Sequence, residues 1–336
     1  MTQVTAAIIA YNAEQYYVEA IESLRNQTHR ELELLLVVDL ASTDRTLEIA
    51  RGYEANDPRV RVIEMDHCNI PTKFARVVTE AKSEWVAFLD ADDIALPHRI
   101  ERCLTAAQQR PEVVAWFGWS WQIRSDGTRF RMTRHGPTDE QQFADLRREH
   151  DIPIFDHGTG LFRRAALLAA GNYDPVITIV PDYDMVDRVS ALGLMLTIPE
   201  PLMEYRLHGA NTSFQNYKMQ SRQFAYLWSR RVALDRGESF PCFEAFSALP
   251  PTGSLVRRWS HATREKSRFH WNATAVHWAG RRRSRAVLAA TQSIAWNPLS
   301  VAHRLWRNYL RPRFFQRGRL ARLLVRQPTQ RRPDEG

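Results

Sequence analysis

Residues 84–93 read EWVAFLDADD, and this stretch decides the fold. Trp85, Val86, Ala87, Phe88 and Leu89 leave no polar face, so a strand built from them needs cover on both sides. That is the pattern of a central strand in a parallel sheet flanked by helices. The strand runs into Asp90, Asp92 and Asp93, three carboxylates within four residues. Packed together they repel, and their pKa values rise unless a cation or a ring of donors neutralises them. A divalent ion is the simplest neutraliser. Mg2+ or Mn2+ prefers oxygen, takes one or two carboxylates and completes its shell with substrate phosphates. The plainer alternative is an acidic turn in which Asp93 caps the next helix.

Toward the N-terminus, strand and helix patterns alternate. VTAAIIAY (4–11) reads as a strand, AEQYYVEAIESLRNQ (13–27) as an amphipathic helix, LELLLVVDL (32–40) as a strand and STDRTLEIARGYEAN (42–56) as a helix. VRVIEM (60–65) is a third strand before a helical stretch ending near Lys82. Such a series builds a parallel sheet covered by helices. Ligands of these sheets sit beyond the carboxyl ends of the strands, which directs attention to Ala10, Tyr11 and Asn12, to Asp39 through Asp44, and to Asp90 through Asp93. Ser42 and Asp44 also suit capping of the helix that follows them. Tyr11 suits either the border of a base or an amphipathic core position.

Toward the C-terminus, HRIERCLTAAQQR (98–110) reads as a helix, VVAWFGWSWQI (113–123) as a strand, and Ser125-Asp126-Gly127 as a hairpin turn. The loop DHGTG (156–160) leads into FRRAALLAAG (162–171), the second half of residues 174–193 is helical, and LTIPEPLMEYRLHGANTS (196–213) closes the core. Beyond about Gln215 the pattern is helical, with Trp and Arg interleaved and breaks at Pro298, Pro312 and Pro328. With 336 residues, 44% of them hydrophobic, the chain has room for a large domain and an appendage. Cys68, Cys103 and Cys242 show no CxxC spacing, which argues against a disulfide framework or structural zinc and fits a reducing compartment. The start, MTQVTAAIIAYN, reads as a strand and not as a signal peptide, and no apolar run approaches the roughly 20 residues that span a bilayer. Residues 251–336 carry 19 Lys and Arg against three acids, which leaves the first 250 with 27 against 35. A basic appendage on an acidic body suits an anionic membrane surface or nucleic acid.

Six segments together carry a resemblance: AAIIAYN with SLRNQT, VVDLASTDRT, EAKSEWVAFLDADD, HGTGLFRRAALLAAGNYD, PDYDMVDRVSALG and EYRLH. In order and spacing they resemble a family 2 glycosyltransferase of the GT-A fold, over roughly residues 3–215. The resemblance implies a Rossmann-like, mostly parallel α/β sheet flanked by helices, and transfer of a sugar from a nucleoside-diphosphate donor to a hydroxyl acceptor. By the same resemblance Asp90-Ala91-Asp92 is the Asp-x-Asp motif. Asp92 is then the direct Mn2+ or Mg2+ ligand, Asp90 lies nearer the ribose or behind the metal, and His208 completes the metal or diphosphate site. Asp182 matches the catalytic base, with Pro181 where a glutamate is usual. Asp39 matches a uracil contact, with Leu40 in place of a second aspartate. An arginine common in the third helix falls near Phe74, and Lys73 and Arg76 are the neighbouring cations. Asp156, His157 and Asp184 are expected on the acceptor side, and Arg206 near the diphosphate.

The resulting expectation is a catalytic domain over 1–215 and a basic, Trp/Arg-rich helical extension over 216–336, with the last ten or so residues disordered. VAHRLWRNYLRPRFFQRGRLARLLVRQ (301–327) mixes arginine with Leu, Trp, Tyr and Phe at near-helical spacing, as surface-bound amphipathic helices do. That favours a cytoplasmic enzyme held at the inner face of the membrane near a glycan or lipid-linked acceptor. Nucleic-acid binding is not expected, because no such motif accompanies the charge. Nucleotidyltransfer lacks a Gly-rich phosphate loop after the first strand. A non-catalytic nucleotide-sugar binder or membrane scaffold is the reading from another class.

Overall fold

A computed structural model describes residues 3–208, 216–248, 283–298 and 301. Four parallel strands lie in the order β3 (Val60–Met65), β2 (Leu32–Asp39), β1 (Val4–Ala10), β4 (Trp85–Asp90). The expected α/β alternation is present. Helix α1 (Glu14–Arg25) buries Tyr17, Ala20, Ile21 and Leu24, the i, i+3, i+4, i+7 stripe of a helix lying on a sheet. Each of its large apolar side chains contributes about 1.5–3 kcal/mol by leaving water. Helix α2 is Thr46–Asn56, and α3 is Ile70–Glu80. The latter starts where Asn69 accepts a hydrogen bond from the Thr72 N–H, with Pro71 in the first turn.

After β4 the sheet changes character. A two-residue strand β5 (Ile94–Ala95) is followed by α4 (Arg99–Gln109), the long β6 (Val113–Arg124) and β7 (Arg129–Thr133). Then come α5 (Glu140–Arg148), a 3-10 turn (His157–Thr159), β8 (Leu161–Arg163), α6 (Arg164–Ala169), α7 (Pro181–Val189) and β9 (Leu194–Leu207). The full order is β3-β2-β1-β4-β8-β6-β9-β5, with β7 paired to β6. The short β8 runs antiparallel to both β4 and β6 and splices the N-terminal parallel half to the second half. Two core clusters cover the two faces, one centred on Ile8, Tyr17 and Leu36, the other on Phe88, Phe117 and Phe162.

Compactness divides the chain at 250/251 and not at 215. Helix α8 (Tyr217–Asp235) belongs to the first unit: Leu227 and Tyr226 are buried in its second core cluster, and the Trp228 indole N–H donates to Asp151 at 2.7 Å. A short α9 (Phe243–Ala248) follows. In the second unit the described part is α10 (Arg283–Trp296), with Val287, Leu288 and Ile294 exposed. The arginine-rich segment 302–336 lies outside the described residues, and so does the expected disordered end. No helix among the described residues is long and apolar enough to cross a membrane.

Candidate active site

The carboxyl ends of β1, β2 and β4 lie side by side at one edge of the sheet. Ala10 ends β1 with its side chain in the core, so only its main chain can face a ligand. Asn12 takes a left-handed backbone (φ 49°), which Asn tolerates better than most residues. Its Oδ1 accepts from the Thr43 N–H at 2.8 Å, tying the first loop to the second. Asp44 does serve helix starts, and two of them: it accepts from the Glu14 N–H at 2.9 Å and from the Thr46 N–H at 3.0 Å. Ser42 instead donates to the Asp39 carbonyl at 2.7 Å.

Asp39 is fully buried and anchors the expected base pocket. Its Oδ2 meets Lys73 Nζ at 2.5 Å and His67 Nδ1 at 3.0 Å, and its Oδ1 accepts from the Ala41 N–H at 3.0 Å. Burial pushes this carboxyl up, but Lys73, Ala41 and His67 together outweigh it and hold it below the usual carboxylate range. Lys73 is itself buried, and its ammonium lies 5.7 Å from the centre of the Tyr11 ring. Tyr11 is half exposed and tilts over His67 at 5.4 Å between centroids. It lies outside the core. His67 belongs to no motif in the sequence, although it stands two residues past β3 beside Asp39, the last residue of β2.

The aspartate run divides into three roles. Asp90 ends β4, and its carboxyl is pushed up to about 7 by desolvation and then by the charges of Asp92 and Asp182. Asp92 Oδ2 lies 2.7 Å from His208 Nε2, and the His208 ring lies 5.4 Å from that of Tyr16. Ala91 packs its methyl against the core, leaving its main chain for any ligand contact. Asp93 is buried and caps no helix: the next residues are β5, and α4 begins at Arg99. Its Oδ1 accepts from the Arg206 N–H at 2.8 Å, and burial with Asp92 and Asp90 raises its carboxyl well above the usual range. It fastens β9 to this turn.

Two expected site residues point elsewhere. Arg206 is 2% exposed. Its guanidinium donates to the Asp92 carbonyl at 2.9 Å, to the Ser125 carbonyl at 3.2 Å and to Glu19, and stacks 4.4 Å over Tyr16. It holds the Asp92 turn from below and does not line the diphosphate side. Asp184 is fully buried, with Oδ2 on Arg188 at 2.5 Å and Oδ1 on Arg230 at 2.7 Å. It ties α7 to α8 and lies off the acceptor side.

Asp182 sits in the first turn of α7, whose start is set by Pro181. Enclosure, helped by the charge of Asp156, lifts its carboxyl to about 6 against the helix N–H groups of Tyr183 and Asp182. Its charge is among those that raise the Asp90 carboxyl. Asp156 accepts from Ser120 Oγ at 2.6 Å and Thr133 Oγ1 at 2.8 Å, and meets His135 Nδ1 at 2.7 Å. Burial opposes its charge, yet His135 and the two hydroxyls keep it below its ordinary value. His157 is caged by aromatics: it stacks on Phe88 at 5.0 Å and lies 5.1 Å from Phe74, with Nε2 2.8 Å from the Tyr173 hydroxyl. Burial, then Arg99, pushes it down to about 3, so it is neutral at physiological pH and acts as a polar wedge. Gly158 lets this turn approach β9, since a Cβ there would lie 2.5 Å from Met203 Sδ. Buried Arg99, another residue the sequence did not flag, clamps the turn by donating to the Phe88 and Gly160 carbonyls at 2.8 and 2.9 Å.

Asp39, His67 and Lys73 lie at the carboxyl end of the sheet near the Asp90–Asp93 run, an arrangement that suits a nucleotide-diphospho-sugar transferase of the GT-A class. Residues 5–169 match the model of glycosyl transferase family 2, and this segment belongs to that family. It is 27% identical over 219 residues to a chondroitin synthase of Pasteurella multocida, covering 65% of this chain and 22% of that protein. It is 25% identical over 221 residues to an uncharacterised glycosyltransferase of Methanocaldococcus jannaschii, covering 65% and 75%. This chain therefore spans about a fifth of the synthase. Among solved structures, S. aureus TarS 1–349 with UDP-GlcNAc superposes at TM-score 0.54 and 16% identity, over 86% of this chain and 89% of the other. A mannosyltransferase of Pyrobaculum calidifontis, with GDP-Man and Mn2+, does so at 0.55 and 16%, over 91% and 88%.

Proposed function

We propose that the protein is an inverting glycosyltransferase that moves a sugar from a nucleoside-diphosphate donor, a UDP-sugar first, to a hydroxyl of a glycan or lipid-linked acceptor in cell-surface polysaccharide synthesis. The observation that carries this reading is Asp182 in the first turn of α7, its carboxyl lifted to about 6 and its charge felt by Asp90. Such a group is ionised at neutral pH and still basic enough to take a proton from an attacking hydroxyl, a contribution of about 10²–10⁴-fold. Asp39, Tyr11, His67 and Lys73 hold the base, and Asn12 shapes the loop beside it.

Among the described residues no three side chains are grouped closely enough to hold a metal by themselves. One carboxylate and one imidazole, Asp92 and His208, converge within 2.7 Å, and Asp90 adds charge beside them. This donor set fits a Mn2+ or Mg2+ ion that also takes diphosphate oxygens. Bound there, the ion supplies charge neutralisation to the departing nucleoside diphosphate. Arg206 and Asp93 hold the ligand-bearing turn in place, while Asp182 orients and deprotonates the acceptor from the opposite side.

The basic C-terminal region is the proposed contact with an anionic cytoplasmic leaflet, each basic residue adding about 1 kcal/mol. The deciding experiment is calorimetry with UDP and GDP, with and without Mn2+, alongside a transfer and donor-hydrolysis screen of nucleotide sugars. Asp92→Asn should abolish Mn2+-dependent nucleotide binding and turnover with an unchanged melting point. Near-normal activity in that variant would sink the reading. Nucleotide binding by the parent without hydrolysis or transfer of any donor would make it a non-catalytic binder.

A further inference from the structure

The β6–β7 hairpin, residues 119–135, carries Arg124, Arg129, Arg131, Arg134 and His135 against a single acid, Asp126. This excess stands on a unit whose first 250 residues hold more acids than bases. Strand alternation sorts the hairpin into two faces. Trp121 and Arg129 share one, where Arg129 lies 5.7 Å over the indole and pairs with Glu204. Ser120 and Thr133 occupy the other, and both hold Asp156, the carboxylate whose charge reaches Asp182. One pleat farther on this second face, about 7 Å along the strand, Gln122 is paired with Arg131. The register then shifts, Ile123 pairing with Arg129, so Phe130 is the extra residue of a bulge. Bulges re-aim side chains next to functional sites, and here Phe130 meets the Arg124 guanidinium at 5.2 Å. Tyr205 of β9 lies beside Gln122 in the same sheet row. Beyond the buried Ser120 and Thr133, the face thus presents an amide, two aromatic rings and two guanidinium groups, with Arg131 exposed.

We propose that this face is an acceptor subsite for an anionic sugar chain, with Arg131 the contact to a carboxylate or phosphodiester beyond the sugar that receives the transfer. It rests on the glycosyltransferase reading, because the chain must reach Asp182. Arginine is the side chain best matched to either anion, through paired N–H donors. Aromatic rings next to an amide offer apolar faces and a donor–acceptor pair to a pyranose.

Calorimetry on the full chain tests the subsite without turnover, using three probes of matched length: a neutral cello-oligosaccharide, an oligogalacturonate and an oligo(glycerol phosphate). At least one acidic chain should bind about tenfold tighter than the neutral one, less so as salt rises. The preferred chain identifies carboxylate or phosphodiester as the source. Arg131→Gln should weaken that binding about tenfold, the loss of a charge-assisted bond, while Arg129→Gln on the opposite face leaves it unchanged. Equal binding of all three chains would overturn the proposal. So would an Arg131→Gln variant that binds the acidic chain as the parent does, or one that loses only binding to phosphatidylglycerol vesicles. An acidic chain bound through Arg131 but never glycosylated by any nucleotide sugar would keep the subsite and remove the transferase reading. Transfer to the neutral chain without preference would do the reverse.

Discussion

Asp182 and Asp184 differ by two positions and by everything that matters chemically. In a helix two residues are about 200° apart, so when Asp182 faces the site Asp184 must face the protein, where Arg188 and Arg230 receive it. The sequence reading made Asp182 the base and put Asp184 beside it on the acceptor side, because a motif records residue type and order, not direction. The same holds for Arg206, where strand alternation turns the side chain toward Tyr16 and Glu19. Asp90, Asp92, Asp182 and Asp39 stood out in the sequence because each lies at or just past the end of a strand or at the start of a helix. With its carboxyl near 6, Asp182 is protonated, and therefore inert as a base, below that value. The rate profile should fall about tenfold per pH unit below pH 6, and Asp182→Asn should lose at least about 10²-fold in kcat while donor affinity is retained. A variant that keeps the acid limb would show that another group titrates. At Lys73 the expectation concerns binding: Lys73→Met leaves a buried carboxylate short of its main partner, so nucleotide affinity and melting temperature should both drop, by about 1–3 kcal/mol in stability. An unchanged melting temperature would contradict the pairing.

At the scale of elements, α7 is held at both ends of its charge pattern. Asp184 and Asp187 are buried in it, with Arg188 from its own last turn, Arg230 from α8 at 2.7 and 3.0 Å, and Arg231 at 3.5 Å from Asp187. Arg188 reaches on to the Asn172 carbonyl at 2.7 Å, next to Tyr173, whose hydroxyl holds His157. The first turn that carries the base is therefore braced by a helix outside the family signature. Removing one member of a buried ionic cluster costs about 3–5 kcal/mol because the other is left unpaired. Arg230→Met should lower stability within that range by denaturant unfolding and reduce kcat more than donor KM, with partial rescue by Arg230→Lys. A loss of donor affinity equal to the loss of kcat would place Arg230 elsewhere in the cycle. Helix α8 was legible as a helix but not as part of the core: its apolar residues are interrupted by arginines, which the sequence assigned to a basic surface and the fold spends on α7. The three-residue β8 was equally hidden, since two antiparallel neighbours and not its own pattern make it a strand.

For the molecule as a whole, the boundary after Pro250 has a direct test. A fragment of residues 1–250 should unfold in one cooperative transition, whereas 1–215 lacks Leu227, Arg230 and Trp228 and should expose the core beneath them, seen as dye binding and a broadened melt. The basic remainder, residues 251–336, should account for retention on phosphatidylglycerol vesicles, and equal retention of the 1–250 fragment would remove it from that role. The parallel half of the sheet was readable because fully apolar strands leave few alternatives, while the second half depends on pairings between distant segments that no local pattern announces. One consequence of the α7–α8 ion cluster reaches beyond this chain's own chemistry. A recombinant chimera that exchanges acceptor modules at the edge of the recognised family segment would separate the members of a cluster of three arginines and two carboxylates. The grafting point that preserves their matched charges lies after α9, so donor and acceptor halves of such enzymes are better inherited with this helix than joined ahead of it.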